Sequence, residues 1–189
     1  MTTAHGLIVG KFHPPHAGHD LLVRTASHAS LWVSVLVLAH PDEYLDLNDR
    51  VAWMREMFAD LDNVEVIGGI DPHPIDYNDA SVWDLHEDVF RTTLATANEV
   101  PVTAVFSSEN YGLELARRFH AINVAVDPER RLVDISATRI RSDPVGCWGH
   151  LPPAVRGGLC RRAVFVGAES TGTTTLSRAL VDHLRARWR

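Results

Sequence analysis

The stretch GKFHPPHAGH, Gly10 to His19, places His13, His16 and His19 at every third position and contains the only lysine in the chain, Lys11. Imidazoles so spaced fit three chemistries: metal ligation, the polar face of a turn, or hydrogen-bond donation to an anion. Pro14 and Pro15 prevent a continuous helix from His13 to His19, so helical spacing does not align the rings on a metal. No carboxylate or cysteine joins them locally to complete a usual ligand set, and no protein-held metal is expected. Anion binding fits better. The prolines force extended backbone, and Gly18 leaves room for backbone to approach a ligand. A helix beginning at His19 and Asp20 would offer unpaired N–H groups and the positive end of its dipole. Lys11 adds a cation, against a background in which every other basic residue is arginine. The bland alternative is a proline-rich turn with surface histidines, and the flanking elements weigh against it.

Those side chains need a scaffold. Gly6–Phe12 reads as a buried first strand, followed by a helix with Leu21, Leu22 and Ala26 at helical spacing. Leu31–Ala39 reads as a central strand buried on both faces. Asn48 is expected to cap a helix carrying Val51, Met54, Met57 and Phe58. Strands are expected at Val64–Gly69, Val102–Glu109 and Ile122–Asp127, with helices over 80–97 and 111–121 and a helical turn in ISATRIR, Ile135–Arg141. The alternation predicts an α/β fold with a doubly wound parallel sheet. Ligands in such sheets lie beyond the C-terminal strand ends, at the switch point. That places Gly10–His19 and Ser107–Asn110 on one edge. The segment LPPAVRGGLC, Leu151–Cys160, suggests a boundary, with a domain over 1–156 and, over 157–189, a linker and a short strand–helix tail.

The chain's 189 residues are 46% hydrophobic and 22% charged, which suits one core-burying domain. Its 18 basic and 24 acidic residues give −6, unlike the basic stripe of a nucleic-acid binder. Cys147 and Cys160 form no Cys-x-x-Cys pair and suit a reducing compartment. The N-terminus lacks the pattern of a signal peptide. Leu31–Ala39, the longest apolar run, is too short to span a bilayer. A cytoplasmic protein with neither nucleic acid nor membrane as partner is expected.

GKFHPPHAGH resembles the His-x-Gly-His signature of the nucleotidylyltransferase superfamily, and ISATRIR resembles that superfamily's second signature, Ile-Ser-x-Thr-x-x-Arg. They occur in the expected order, and the resemblance covers Gly6 to about Arg156. It implies a Rossmann-like nucleotidylyltransferase fold. It also implies that His16, His19 and Arg141 act on the α-phosphoryl group of ATP. Gly10, Lys11, Phe12, Gly18, Asn110, Ser136 and Thr138 would bind ATP, with Mg²⁺ brought by the nucleotide.

NDASVW, Asn78–Trp83, resembles the segment of archaeal-type nicotinamide-mononucleotide adenylyltransferases in which a tryptophan stacks on the nicotinamide ring, here Trp83 with Asn78 nearby. The competing reading of Trp83 is helix core. LNDRVAWM resembles the segment whose arginine, here Arg50, approaches substrate phosphate; the competing reading is a solvated arginine at a helix start. In the tail, GAESTGTTT nearly fits a P-loop, an order that resembles bifunctional enzymes joining such an adenylyltransferase to a ribosylnicotinamide kinase. Thr173 stands where the P-loop lysine belongs, and a single strand–helix unit follows the boundary, so the kinase half is expected to be truncated and inactive. Packing on the first domain, self-association and disorder are all open to this segment. The implied reaction is ATP plus nicotinamide mononucleotide giving NAD and pyrophosphate. The alternatives are transfer to another phosphorylated acceptor such as phosphopantetheine, cytidylyl transfer, and a non-catalytic nicotinamide-nucleotide sensor.

Overall fold

The structure is a computed structural model that describes residues 2–76, 79–97, 100–160 and 164–187. The chain divides into two compact units, Met1–Gly158 and Leu159–Arg189. The first is built on strands β1 (Thr3–Gly10), β2 (Ser30–Ala39), β3 (Val64–Ile70), β4 (Ala104–Ser107) and β5 (Ile122–Ala125). All neighbouring pairs run parallel, in the order β3-β2-β1-β4-β5. Helices α1 (Ala17–Ala29), α2 (Leu47–Met57), α3 (Ala80–Ala95) and α4 (Gly112–Arg118) fill the crossovers. They are followed by α5 (Ala137–Ser142), a 3-10 turn at Trp148–His150 and α6 (Pro153–Leu159).

The valine-rich run of β2 explains the two-layer burial. Val33, Val35 and Val37 enter the core beneath α1 and α2, while Leu36 and Leu38 enter the one beneath α3. Successive side chains of a strand point to opposite faces, so a strand covered on both sides is apolar except where a buried partner satisfies the polar group, as His5 Nε2 does for Ser34 at 2.9 Å. Each such side chain contributes about 1.5–3 kcal/mol on burial. The strand order reverses between β1 and β4, and the crevice beyond their C-terminal ends is the switch point of the sheet.

Several boundaries differ from expectation for local reasons. α1 begins at Ala17, two residues before His19, because His16 itself caps it. Asp46, not Asn48, caps α2: its carboxylate accepts the Asn48 N–H at 2.7 Å. β4 stops at Ser107, whose hydroxyl turns back to accept the Glu109 N–H at 2.9 Å. In the second unit, α7 (Thr173–Arg187) forms as expected from its sequence, but Val164–Gly167 is not in a strand. Val164 and Val166 are exposed, and a strand exists only where a neighbour completes its ladder. The rest of that expected strand, 161–163, lies outside the described residues. No helix among the described residues is long and apolar enough to cross a membrane.

Candidate active site

A cavity of about 180 Å³ opens at the switch point, lined by the loop after β1, the start of α1, the turn after β4 and the segment leading into α5. His16 and His19 form its polar wall. His16 adopts extended backbone as the N-cap of α1, and its Nδ1 accepts the Gly18 N–H at 3.1 Å. The His19 Nδ1 reaches back to accept the His16 N–H at 3.2 Å. This is a capping box made of two imidazoles, where serine and glutamate are usual. It also fixes the tautomers. A backbone N–H only donates, so each Nδ1 carries a lone pair and each neutral ring bears its proton on Nε2. The rings stack at 3.7 Å and 23°. Phe12, at φ 47°, lays its ring against His19 at 4.7 Å. A Cβ on Gly18 would lie 3.0 Å from the His16 Cε1, so glycine gives that ring its place. The two rings therefore form a fixed pair of neutral donors.

Electrostatics agree with that protonation state. Burial, then the Arg130 and His150 charges, lower the His16 pKa to about 4. Burial, then His16 and Arg130, push His19 well below its ordinary 6.5. These shifts link stability to pH. Between about pH 4 and 6.5 the unfolded chain binds protons that the folded rings refuse, so stability is present above pH 6.5 and is lost as pH falls towards 4. For His16 alone the shift corresponds to roughly 3 kcal/mol, and His19 acts in the same direction. The urea midpoint is expected to fall markedly from pH 7 to pH 5. In His16→Asn, which keeps a capping acceptor but does not titrate, that fall should be smaller. An unchanged slope in the variant would show that other groups set the pH dependence.

The opposite wall comes from the segment after β5. The Asp127 carboxylate accepts backbone N–H groups of Arg131, Leu132 and Val133 at 2.8–3.1 Å, which winds the chain into a tight loop. Burial works to raise the Asp127 pKa, but these donors outweigh it and hold the pKa below the carboxylate range. The loop delivers Ser136 to cap α5, with its Oγ accepting the Arg139 N–H at 3.1 Å. Arg141 then spans back to the first loop. It donates to the His13 carbonyl at 2.7 Å and to Thr138 Oγ1 at 3.0 Å, joining segments 128 residues apart in sequence.

Of the residues expected to meet ATP, Gly10, Phe12, His16, Gly18, His19, Ser136 and Thr138 share the cavity wall. Arg141 stands beside it through Thr138. Lys11 is exposed and paired with Glu43 at 2.8 Å, outside the lining. Asn110 does not line the cavity, whereas its neighbours Glu109 and Tyr111 do.

Two expectations are corrected. Arg50 does not face substrate: it is fully buried, with its guanidinium donating to the Leu45 carbonyl, the Lys11 carbonyl and Glu43. Trp83 presents no open face for stacking. It is 6% exposed in the core beneath α3, with the Arg118 guanidinium 5.5 Å over its ring. Asn78 lies outside the described residues. The sequence placed the loop after β4 at the site but singled out Asn110 in it, not Glu109 or Tyr111, and it did not point to Asp127 or Arg130; all four line the cavity. The aspartate three residues before an arginine was the available signal, and no spacing rule identifies it as a loop wound on a carboxylate.

A larger groove of about 440 Å³ lies between α1, α2 and the residues Gly149–Ala154. Its arginine is engaged by protein groups: Arg24 donates to Asp20, Asp60 and the Met57 carbonyl. Among the described residues no group of three or more His, Cys, Asp or Glu could hold a metal ion.

Comparison with known proteins bears on this site. The cytidylyltransferase-like family profile matches residues 7–143, which include both cavity walls. The chain is 25% identical to the trifunctional NAD biosynthesis/regulator protein NadR of Salmonella typhimurium strain LT2, over 94% of this chain and 46% of that protein. Identity and coverage are the same for NadR of Escherichia coli K12. The chain thus spans about half the length of the curated relatives it matches. The fold is shared with NadR in its crystal structure with NR: TM-score 0.70, 23% identity, covering 96% of this chain and 52% of that one. It is also shared with a bifunctional NMN adenylyltransferase/ADP ribose pyrophosphatase from Francisella tularensis: TM-score 0.59, 15% identity, covering 81% and 44%.

Proposed function

Since the chain belongs to the cytidylyltransferase-like family, we propose that it is a nucleotidyltransferase of NAD biosynthesis that moves the adenylyl group of ATP to nicotinamide mononucleotide and releases pyrophosphate. The observation that carries the transferase reading is the stacked His16–His19 pair, each ring locked by its Nδ1 so that Nε2–H is the donor. The acceptor is supported by the similarity to NadR. Trp83, buried in the core, lends it no support. Two free thiols and the absence, among the described residues, of a membrane-spanning helix suit a cytoplasmic enzyme.

In this reading a phosphate oxygen of the mononucleotide attacks the α-phosphorus of ATP. The bond from that phosphorus to the oxygen bridging to the β-phosphate breaks, and the electron pair leaves with pyrophosphate. The attacking oxygen is already anionic near neutral pH, so no protein base is needed. The barrier lies in bringing two anions together and in the charge that develops on the leaving group. Positioning lowers such barriers by about 7–11 kcal/mol, and preorganised donors lower them further. The neutral Nε2–H groups of His16 and His19 would donate to the α-phosphoryl oxygens, and Ser136 and Thr138 would hold the phosphates beyond. The cavity's carboxylates are already engaged, Asp127 by backbone N–H groups and Glu109 by Arg130. Mg²⁺ would therefore enter with the triphosphate and not on protein carboxylates, and it would supply neutralisation of phosphate charge. With Thr173 in place of a P-loop lysine, no kinase step is assigned to the second unit.

The test is pyrophosphate release and product chromatography with ATP or CTP as donor and nicotinamide mononucleotide, its deamidated form or phosphopantetheine as acceptor. NAD and pyrophosphate in equal amounts are expected from ATP and nicotinamide mononucleotide. Turnover only with CTP or phosphopantetheine would overturn the substrate assignment. Tight NAD binding without pyrophosphate release would replace the enzyme with a sensor.

A further inference from the structure

Among the described residues, the one lysine or arginine that lines the cavity is Arg130, since Lys11 is tied to Glu43 and Arg141 lies outside the lining. Arg130 is held at three points. Its backbone N–H donates to the Asp127 carbonyl at 2.9 Å. Its Nη1 donates to the Ile135 carbonyl at 2.7 Å, one residue before the cap of α5. Its Nη2 donates to Glu109 Oε1 at 2.6 Å, and both residues line the cavity.

The ion pair with Glu109 does not by itself explain this anchoring. Arg130 sits at φ 53° and Asp127 at φ 47°. Aspartate tolerates the left-handed region better than most residues, but arginine has no such allowance, and strain of this kind persists only where surrounding structure enforces it. The ion pair that could repay it is weak, because the Arg130 side chain is 34% and the Glu109 side chain 54% exposed. A guanidinium has five N–H donors, of which two are used here. Glu109 holds the arginine but would also repel an arriving polyanion, and a phosphate competes for the same donor with more charge and more acceptor oxygens.

We propose that Arg130 is a phosphate-binding residue of this cavity, kept in place by Glu109 and transferred from that carboxylate to the nucleotide's phosphates when nucleotide enters. The assignment rests on the reading that nucleotide phosphate occupies the cavity. Ile135 keeps Nη1 fixed during the exchange, so the guanidinium changes partner without a change in the loop.

Titration calorimetry of the full chain with Mg²⁺–ATP, AMP and adenosine tests the exchange in wild type, Arg130→Ala and Glu109→Gln. Arg130→Ala should weaken ATP by about ten- to a hundred-fold and leave adenosine within about two-fold. Glu109→Gln removes the competitor and keeps the Ile135 anchor. It should tighten ATP by about three-fold, and it tests the exchange even if Arg130→Ala does not fold. Equal losses for adenosine and ATP in Arg130→Ala, or an ATP affinity unmoved in both variants, would overturn the assignment while leaving the enzyme reading intact. A wild type that binds neither adenosine nor ATP would overturn the nucleotide reading, and the role of Arg130 with it.

Discussion

His19→Ala is expected to lower kcat about a hundred- to a thousand-fold, the usual consequence of removing one preorganised donor from a developing charge. The folded state should lose little. The His16 N–H is left without its Nδ1 acceptor, a capping defect of about 1 kcal/mol, and the rest of α1 keeps its own hydrogen bonds. The stack with His16 and the contact with Phe12 also go, so His16 gains freedom and part of the kcat loss is its misplacement. His16→Ala should show a comparable kcat loss with a larger stability loss, because His16 is the N-cap itself. The pH profile separates a donor from an acid–base catalyst. Both rings are neutral well below pH 6.5, so kcat should be flat from pH 6 to 8. A limb near pH 6.5 that disappears in His19→Ala would show instead that the ring works by gaining or losing a proton. Unchanged turnover in the variant would remove it from the chemistry.

The parts of the molecule that follow from period and punctuation were legible in the sequence. From Val33 to Ala39 β2 is apolar apart from Ser34, which pairs with His5, and burial on both faces accommodates it. The two signatures, each following a strand, had to meet on one sheet edge, and the structure carries His16, His19, Ser136 and Thr138 to one cavity. Side-chain commitments were less legible. Whether an arginine at a helix start is free depends on which carbonyls a neighbouring loop leaves unpaired, and Arg50 is bound to those of Leu45 and Lys11. Whether a tryptophan near a loop offers its face depends on helix rotation, and α3 turns Trp83 inward with Phe90 and Leu94. The imidazole capping box was hidden because capping patterns name serine, threonine and glutamate, although the His-x-x-His spacing is that of N-cap and N3. Arg130 was hidden because its position is set by a carboxylate that bonds backbone, an interaction with no periodicity.

Arg50→Ala should produce the largest stability loss among the polar substitutions considered. The guanidinium is fully buried and makes four contacts: two with the Leu45 carbonyl, one with the Lys11 carbonyl at 3.0 Å and one with Glu43 at 2.7 Å. Burial works to raise the Glu43 pKa, and hydrogen bonds from Lys11 and Arg50 overcome it, leaving the pKa lowered. Removing one partner of a buried pair strands the other, which costs about 3–5 kcal/mol. Lys11 still reaches Glu43, which places the loss near the lower end, and the melting temperature should fall by roughly ten degrees for a domain of this size. Arg50→Lys keeps the charge but not the fork that serves Leu45, Lys11 and Glu43 at once, so most of the loss should remain. Thermal melts of both variants and of Glu43→Gln, with a double-mutant cycle, measure the coupling. Kinetics decide between this role and substrate binding. A strut predicts that whatever protein stays folded keeps the wild-type KM for the acceptor. A raised KM at an unchanged melting temperature would return Arg50 to the substrate and leave the loop from Glu43 to Leu45 held by something else.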